Sequence, residues 1–183
     1  MTLSHAPGLL IAMPDLADPN FYRSVVLLCS HNDEGAFGLV INMPSTVTVQ
    51  HVCEGGELDW TGDEETLALI GGPVESGHGW VLHDPENSFE DSQVIAPGLA
   101  ISASQNALRA YAAAPTEDYR LCLGYAGWGA AQLDAEVASG SWLTCEVSPE
   151  LIFRADPHTI WRGALALVGI DPANLVPGNA HRN

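Results

Sequence analysis

Eight positions in this chain border apolar, strand-like runs with side chains or backbone able to do chemistry: Arg23, His31, Asn42, Gly72, Pro73, His83, Gln132 and Glu136. A histidine near a carboxylate can move a proton, and an arginine near free backbone N–H groups can hold an anion, so together they form a candidate ligand-binding set. Each position also has a structural alternative. Arg23, next to Asp18-Pro19-Asn20-Phe21, either meets an anionic ligand or pairs with Asp15 or Asp18. Asn42 directly follows the run Phe37 to Ile41, where its amide either orients a ligand or caps the next turn. Gly71-Gly72-Pro73-Val74 either ends a strand or exposes N–H groups as a small anion nest.

Other chemistries lack their residues. All six basic side chains are arginine and lysine is absent, which removes the Gly-Lys-Ser/Thr phosphate loop, the protein-kinase strand lysine and every Schiff-base mechanism. The segment Gly124-Tyr125-Ala126-Gly127-Trp128-Gly129 invites comparison with dinucleotide loops, but its order is G-x-x-G-x-G and no early βαβ unit precedes it. It reads instead as a Gly-rich turn with a packed Trp128, or as a ligand-facing rim shared with Gln132 and Glu136. G-x-S-x-G and H-E-x-x-H are both missing, and His78 and His83 lie five apart across a strand-like run, on opposite faces. No catalytic nucleophile is marked; no metal and no cofactor is expected.

Charge narrows the partners. With 23 acids against 6 bases the formal net charge is -17, and Arg23, Arg109, Arg120, Arg154, Arg162 and Arg182 are too scattered to make the dense basic face that a duplex or an anionic membrane requires. Direct nucleic-acid binding and membrane attachment are therefore not expected. The start Met1-Thr2-Leu3-Ser4-His5-Ala6-Pro7 lacks the basic beginning of an export signal, which points to the cytoplasm. Cys29, Cys53, Cys122 and Cys145 form no C-x-x-C pair and read as reduced and buried.

The positioning elements follow from local patterns. At 183 residues and 46% hydrophobic content, without repeat or linker, the chain suits one domain over 1–183. Leu9 to Ala12, Ser24 to Cys29, Phe37 to Ile41, Leu67 to Ile70, Gly79 to His83, Leu99 to Ser102, Leu121 to Leu123 and Trp142 to Val147 are predicted strands. The second and third of these flank His31-Asn32-Asp33-Glu34-Gly35 and should form a hairpin. Residues 50–65 are ambiguous. Helices are predicted after Ser104, over Ala130 to Ala138, and from Asp156-Pro157 to Gly169, the last with an apolar stripe of Ile160, Trp161, Ala164, Leu165 and Val168. Strands come in runs and helices cluster late, which favours an α+β fold with a bent, mostly antiparallel sheet and helices packed on it.

Several segments, in order, carry a resemblance. Gly8-Leu9-Leu10-Ile11-Ala12-Met13-Pro14, Asp18-Pro19-Asn20-Phe21, Arg23 to Leu28, His31 with Gly35-Ala36 and Gly38 to Asn42, Gly71 to Val74, Val81-Leu82-His83, Gly124 to Gly129, and Gln132-Leu133 with Glu136 resemble the AlgH/YqgE family of bacterial proteins over nearly the whole chain. The resemblance implies a single α+β domain with a coiled, bifurcated sheet. One branch of that family is linked to control of alginate synthesis, and its members carry the label of transcriptional regulator without a recognised DNA-binding motif. Family members usually end in Gly-His-Ala; here the segment is Gly178-Asn179-Ala180-His181, a departure that weakens any role for that histidine. The expectation is a non-catalytic regulatory or binding module working through a protein partner or small ligand rather than DNA. The alternative is a small-molecule binder or enzyme with a polar pocket around Arg23, Asn42, His83 and Glu136.

Overall fold

A computed structural model describes residues 3–175; the segment Gly178 to His181 lies outside them. The first three strands, β1 (Gly8–Ala12), β2 (Val25–Asn32) and β3 (Gly35–Val40), form an antiparallel meander. Then come β4 (Pro44–Thr48), α1 (Val49–Gly55), β5 (Leu67–Ile70), β6 (Val74–His83), β7 (Gln93–Ala96), β8 (Leu99–Ser102) and α2 (Gln105–Ala113). The chain continues through β9 (Arg120–Gly129), α3 (Gln132–Ala138), β10 (Trp142–Cys145), α4 (Pro149–Arg154) and α5 (Pro157–Leu167). Strand order along the sheet is β10-β1-β2-β3-β9-β6-β8-β7, with β4 on β5 and β5 on β9. This is the α+β architecture with a curled, mainly antiparallel sheet that the strand pattern predicts. The pairing of β5 with β9 is parallel.

The sheet forks at β9. Its C-terminal half, Ala126 to Gly129, pairs with β3, while Cys122 and Leu123 pair with β5. The Gly-rich turn expected at Gly124 to Gly129 is therefore strand, and the glycines serve close approach. Gly124 has φ +75°, and a Cβ there would meet the carbonyl oxygen of Gly72 at 2.6 Å, so the strand bends where two branches meet.

Both faces of the meander are covered. Leu9, Ile11, Val25, Leu27, Leu39 and Ile41 pack under Ile160, Trp161, Ala164 and Leu165 of α5. Leu10, Ala12, Val26, Leu28 and Val40 turn to the other face, with Leu133 of α3, Trp128 and Trp142. Two covered faces explain why β1 and β2 are continuous apolar runs rather than alternating ones. A third cluster joins Val49 and Cys53 of α1 to Ala107, Tyr111 and Ala112 of α2 over Ala68, Val81 and Leu121. Ser104 and Asp156 cap α2 and α5 as their positions predict, each side chain accepting a backbone N–H. Sequence signals missed β4, β7 and α4, all short, and left α1 ambiguous because seven residues give only two turns over which its Val49, Val52 and Cys53 stripe can repeat.

Candidate functional site

The site grows from the junction between the loop after β1 and the start of α5. Arg23 has φ +51°, a left-handed conformation uncommon for a residue with a side chain. Asn42 holds it there: its Nδ2 donates to the Arg23 carbonyl oxygen at 2.9 Å, and its Oδ1 accepts the Val25 N–H at 2.8 Å. Asn42 thus neither caps the following turn nor points free; it clamps the backbone on both sides of Ser24. The Arg23 guanidinium lies 5.1 Å from the Trp161 ring centroid and 5.3 Å from that of Tyr22, within cation–π range. Trp161 is itself fixed, donating its indole N–H to the Ala12 carbonyl at 2.9 Å.

This group lines a cleft of about 330 Å³ with Tyr22, Met43, Pro44, Ile70, Pro157, His158 and Arg162. A second lobe of about 240 Å³ shares Tyr22, Arg23, Trp161 and Arg162 and ends against Asp171 and Leu175. Among the described residues no carboxylate lies within ion-pair distance of Arg23 or Arg162, so the ion pair with Asp15 or Asp18 does not form. The other described arginines are occupied. Arg154 is tied to Asp118 and Glu117, Arg120 donates to the carbonyls of Glu117, Tyr119 and Phe153, and Arg109 donates to Asn106. A larger cleft, about 440 Å³, contains Asp84, Asp118 and Glu150 around that committed Arg154, and offers an anion nothing.

Of the eight candidate residues, only Arg23 and Asn42 line the Arg23 cleft; one pocket gathering all of them is not formed. His83 is fully buried. Its Nδ1 faces the Asp84 carbonyl oxygen at 2.9 Å and must donate, so Nε2 accepts from the Ser102 hydroxyl at 2.8 Å. This is the contact of a nucleophile with its base, but Ser102 is 1% exposed and bonded onward to Ser92, so the pair works as an internal polar network. Glu136 Oε2 accepts the indole N–H groups of Trp128 and Trp142 at 2.9 and 2.8 Å, and Gln132 bridges Glu136 to the Gly129 N–H. Gly72 and Pro73 lead from β5 into β6; a Cβ on Gly72 would stand 2.1 Å from the Tyr125 carbonyl, so this glycine permits strand contact.

His31 lies elsewhere again. Its side chain is 2% exposed, its Nδ1 accepts the His5 backbone N–H at 3.1 Å, and its Nε2 is 3.5 Å from Asp134 Oδ2. The His5 ring stacks on it, and His5 Nε2 is 4.0 Å from the other carboxylate oxygen. Local spacing gave no sign of this group, because its members come from the segment before β1, from β2 and from α3. The four cysteines are free, and burial pushes the Cys29 and Cys122 thiols up to about 12. No helix among the described residues is long and apolar enough to cross a membrane.

Comparison with known proteins agrees with the fold. The family model DUF179, described as AlgH-like, matches residues 9–173. A UPF0301 protein of Myxococcus xanthus is 45% identical over 174 residues, covering 94% of this chain and 96% of the relative. One from Thioalkalivibrio sulfidiphilus is 39% identical over 173 residues, covering 93% and 92%. The solution structure of the AlgH protein from Pseudomonas aeruginosa is similar with a TM-score of 0.78 at 36% identity, over 100% of this chain and 98% of that one. A crystal structure of a Corynebacterium diphtheriae protein shares the fold with a TM-score of 0.72 at 22% identity, over 88% and 86%. With a family model spanning nearly the whole chain and full-length relatives behind it, the protein belongs to the AlgH-like family.

Proposed function

We propose that this protein is a non-catalytic binding module whose ligand is a small organic anion held in the Arg23 cleft, and that any regulatory role runs through that ligand or a protein partner rather than through DNA. In a chain of net charge -17, two arginines without a carboxylate partner among the described residues share a two-lobed cleft with a fixed Trp161. The guanidinium offers paired donors to a carboxylate or phosphate, and the exposed Tyr22 and Ile70 side chains offer an apolar edge beside it. Orientation costs little, because Asn42 and Trp161 hold the Arg23 group before a ligand arrives.

A thermal-shift screen against small carboxylates and phosphates tests this. A ligand at 100 times its Kd stabilises by about 2.7 kcal/mol, or roughly 5–10 °C for a domain of this size. The response should vanish in Arg23→Gly. A screen with no shift for any anion sinks the small-ligand reading and favours the protein partner, for which the exposed Tyr22 and Ile70 beside the cleft are the natural contacts. Direct DNA regulation would instead show as duplex binding by the purified protein that weakens steeply with salt; none is expected at physiological ionic strength.

A further inference from the structure

We infer that His5, His31 and Asp134 form a binding site for a divalent transition metal of the zinc, cobalt or nickel kind. One ligand atom from each residue lies within 4.8 Å of the others. The two imidazole planes are 8° from parallel with centroids 5.4 Å apart, and both Nε2 atoms face the same carboxylate, at 3.5 and 4.0 Å. Around a tetrahedral ion with metal–ligand bonds of about 2.0–2.1 Å, ligand atoms stand roughly 3.3–3.4 Å apart. The present spacing therefore needs the ligand atoms to close up and the partly exposed His5 ring to tilt out of its stack on His31, because an ion lies in the plane of each imidazole that binds it. Two imidazoles and one carboxylate suit borderline metals and leave a fourth position for water. His31 is anchored in β2 and nearly buried, while His5 and Asp134 are 25% and 33% exposed at the side chain, which gives an ion a route in and a rigid base to land on.

The hydrogen bonds specify what loading does. Without metal, His31 Nδ1 accepts the His5 backbone N–H, so the ring proton of the neutral imidazole sits on Nε2 and points at Asp134. A metal ion needs the Nε2 lone pair. The ring proton must then be carried on Nδ1, exchanged through solvent with no net change in protonation of the neutral ring. Two N–H groups cannot share the contact that one now makes, so the His5 amide loses its acceptor and the segment ahead of β1 shifts as the ion enters. Metal binding at this site is thereby coupled to the seating of the N-terminal residues.

The test uses untagged full-length protein and Co2+. Binding should give the strong visible bands of four-coordinate cobalt, displaced by Zn2+, and the His5 amide should lose hydrogen-exchange protection. His5→Ala and Asp134→Asn, both at partly exposed positions, should fold normally and each weaken binding by roughly tenfold or more. Buried His31 is left unchanged because its variants threaten the fold. The inference is overturned if Co2+ gives only the weak spectrum of the hydrated ion. It is overturned equally if the bands survive in the double variant, which would place the ion on other histidines, or if the His5 amide is unaffected by loading.

Discussion

Asn42 donates a hydrogen bond from Nδ2 to the carbonyl oxygen of Arg23 across 2.9 Å, and that contact sets the direction in which the guanidinium leaves the chain. The same side chain accepts from the buried Val25 N–H, so one residue both satisfies the start of β2 and turns Arg23 onto Trp161.

Replacing Asn42 by Ala leaves the Val25 N–H without a partner and should cost about 1–3 kcal/mol in chemical denaturation, with a weakened anion response. Arg23→Gly should behave differently. Glycine tolerates φ +51° without the roughly 1–2 kcal/mol that a side chain incurs there, which offsets the lost cation–π contact. Stability should stay within about 1 kcal/mol of the parent while anion binding disappears. A variant that unfolds instead would show that Arg23 serves structure.

Glu136 fastens α3 to β9 and β10 through two indole N–H groups. Glu136→Ala leaves both donors unpaired beside the buried Trp128 and Trp142, and a loss of roughly 2–4 kcal/mol is expected, since hydrogen bonds to a charged acceptor are worth about 1.5–3 kcal/mol each before relaxation. Glu136→Gln keeps one acceptor oxygen and should lose less. Tryptophan emission, read alongside urea unfolding, reports both effects.

Gly72→Ala should be among the most damaging single-methyl changes in the chain. The added carbon would fall 2.1 Å from the Tyr125 backbone, and backbone cannot yield as a flexible side chain can. Reduced soluble yield or a sharply lowered Tm is expected. By contrast Gly77→Ala, where nothing lies within 4 Å, should be nearly silent.

Alkaline pH should weaken the fold through its thiols. Burial raises Cys29 and Cys122 from 9.0 to about 12, so between those values the unfolded chain has lost protons that the native chain keeps. The stability these groups contribute is complete below pH 9 and is lost as pH rises toward 12, by of order 1 kcal/mol per pH unit for each thiol. Urea unfolding at pH 8, 9.5 and 10.5 should show the decline, and Cys122→Ala should make it shallower. An unchanged slope in that variant would assign the decline to other groups.

Composition and local pattern specify the strands β1 to β3, the capped helices α2 and α5, the α+β class and the exclusion of lysine chemistry. These depend on apolar runs, Ser104 and Asp156 caps and composition, all of which act between near neighbours in the chain. Gly124 to Gly129 misled because glycine signals a turn as readily as a close strand contact, and only the neighbouring branch at Gly72 distinguishes the two. The candidate sites were legible as residue types but not as groupings. Sheet register and the seating of α3 and α5 decide that Arg23 meets Trp161, that His31 meets Asp134 and that His83 is sealed against Ser102. Such convergence joins segments far apart in sequence, and no local pattern encodes the distance between them.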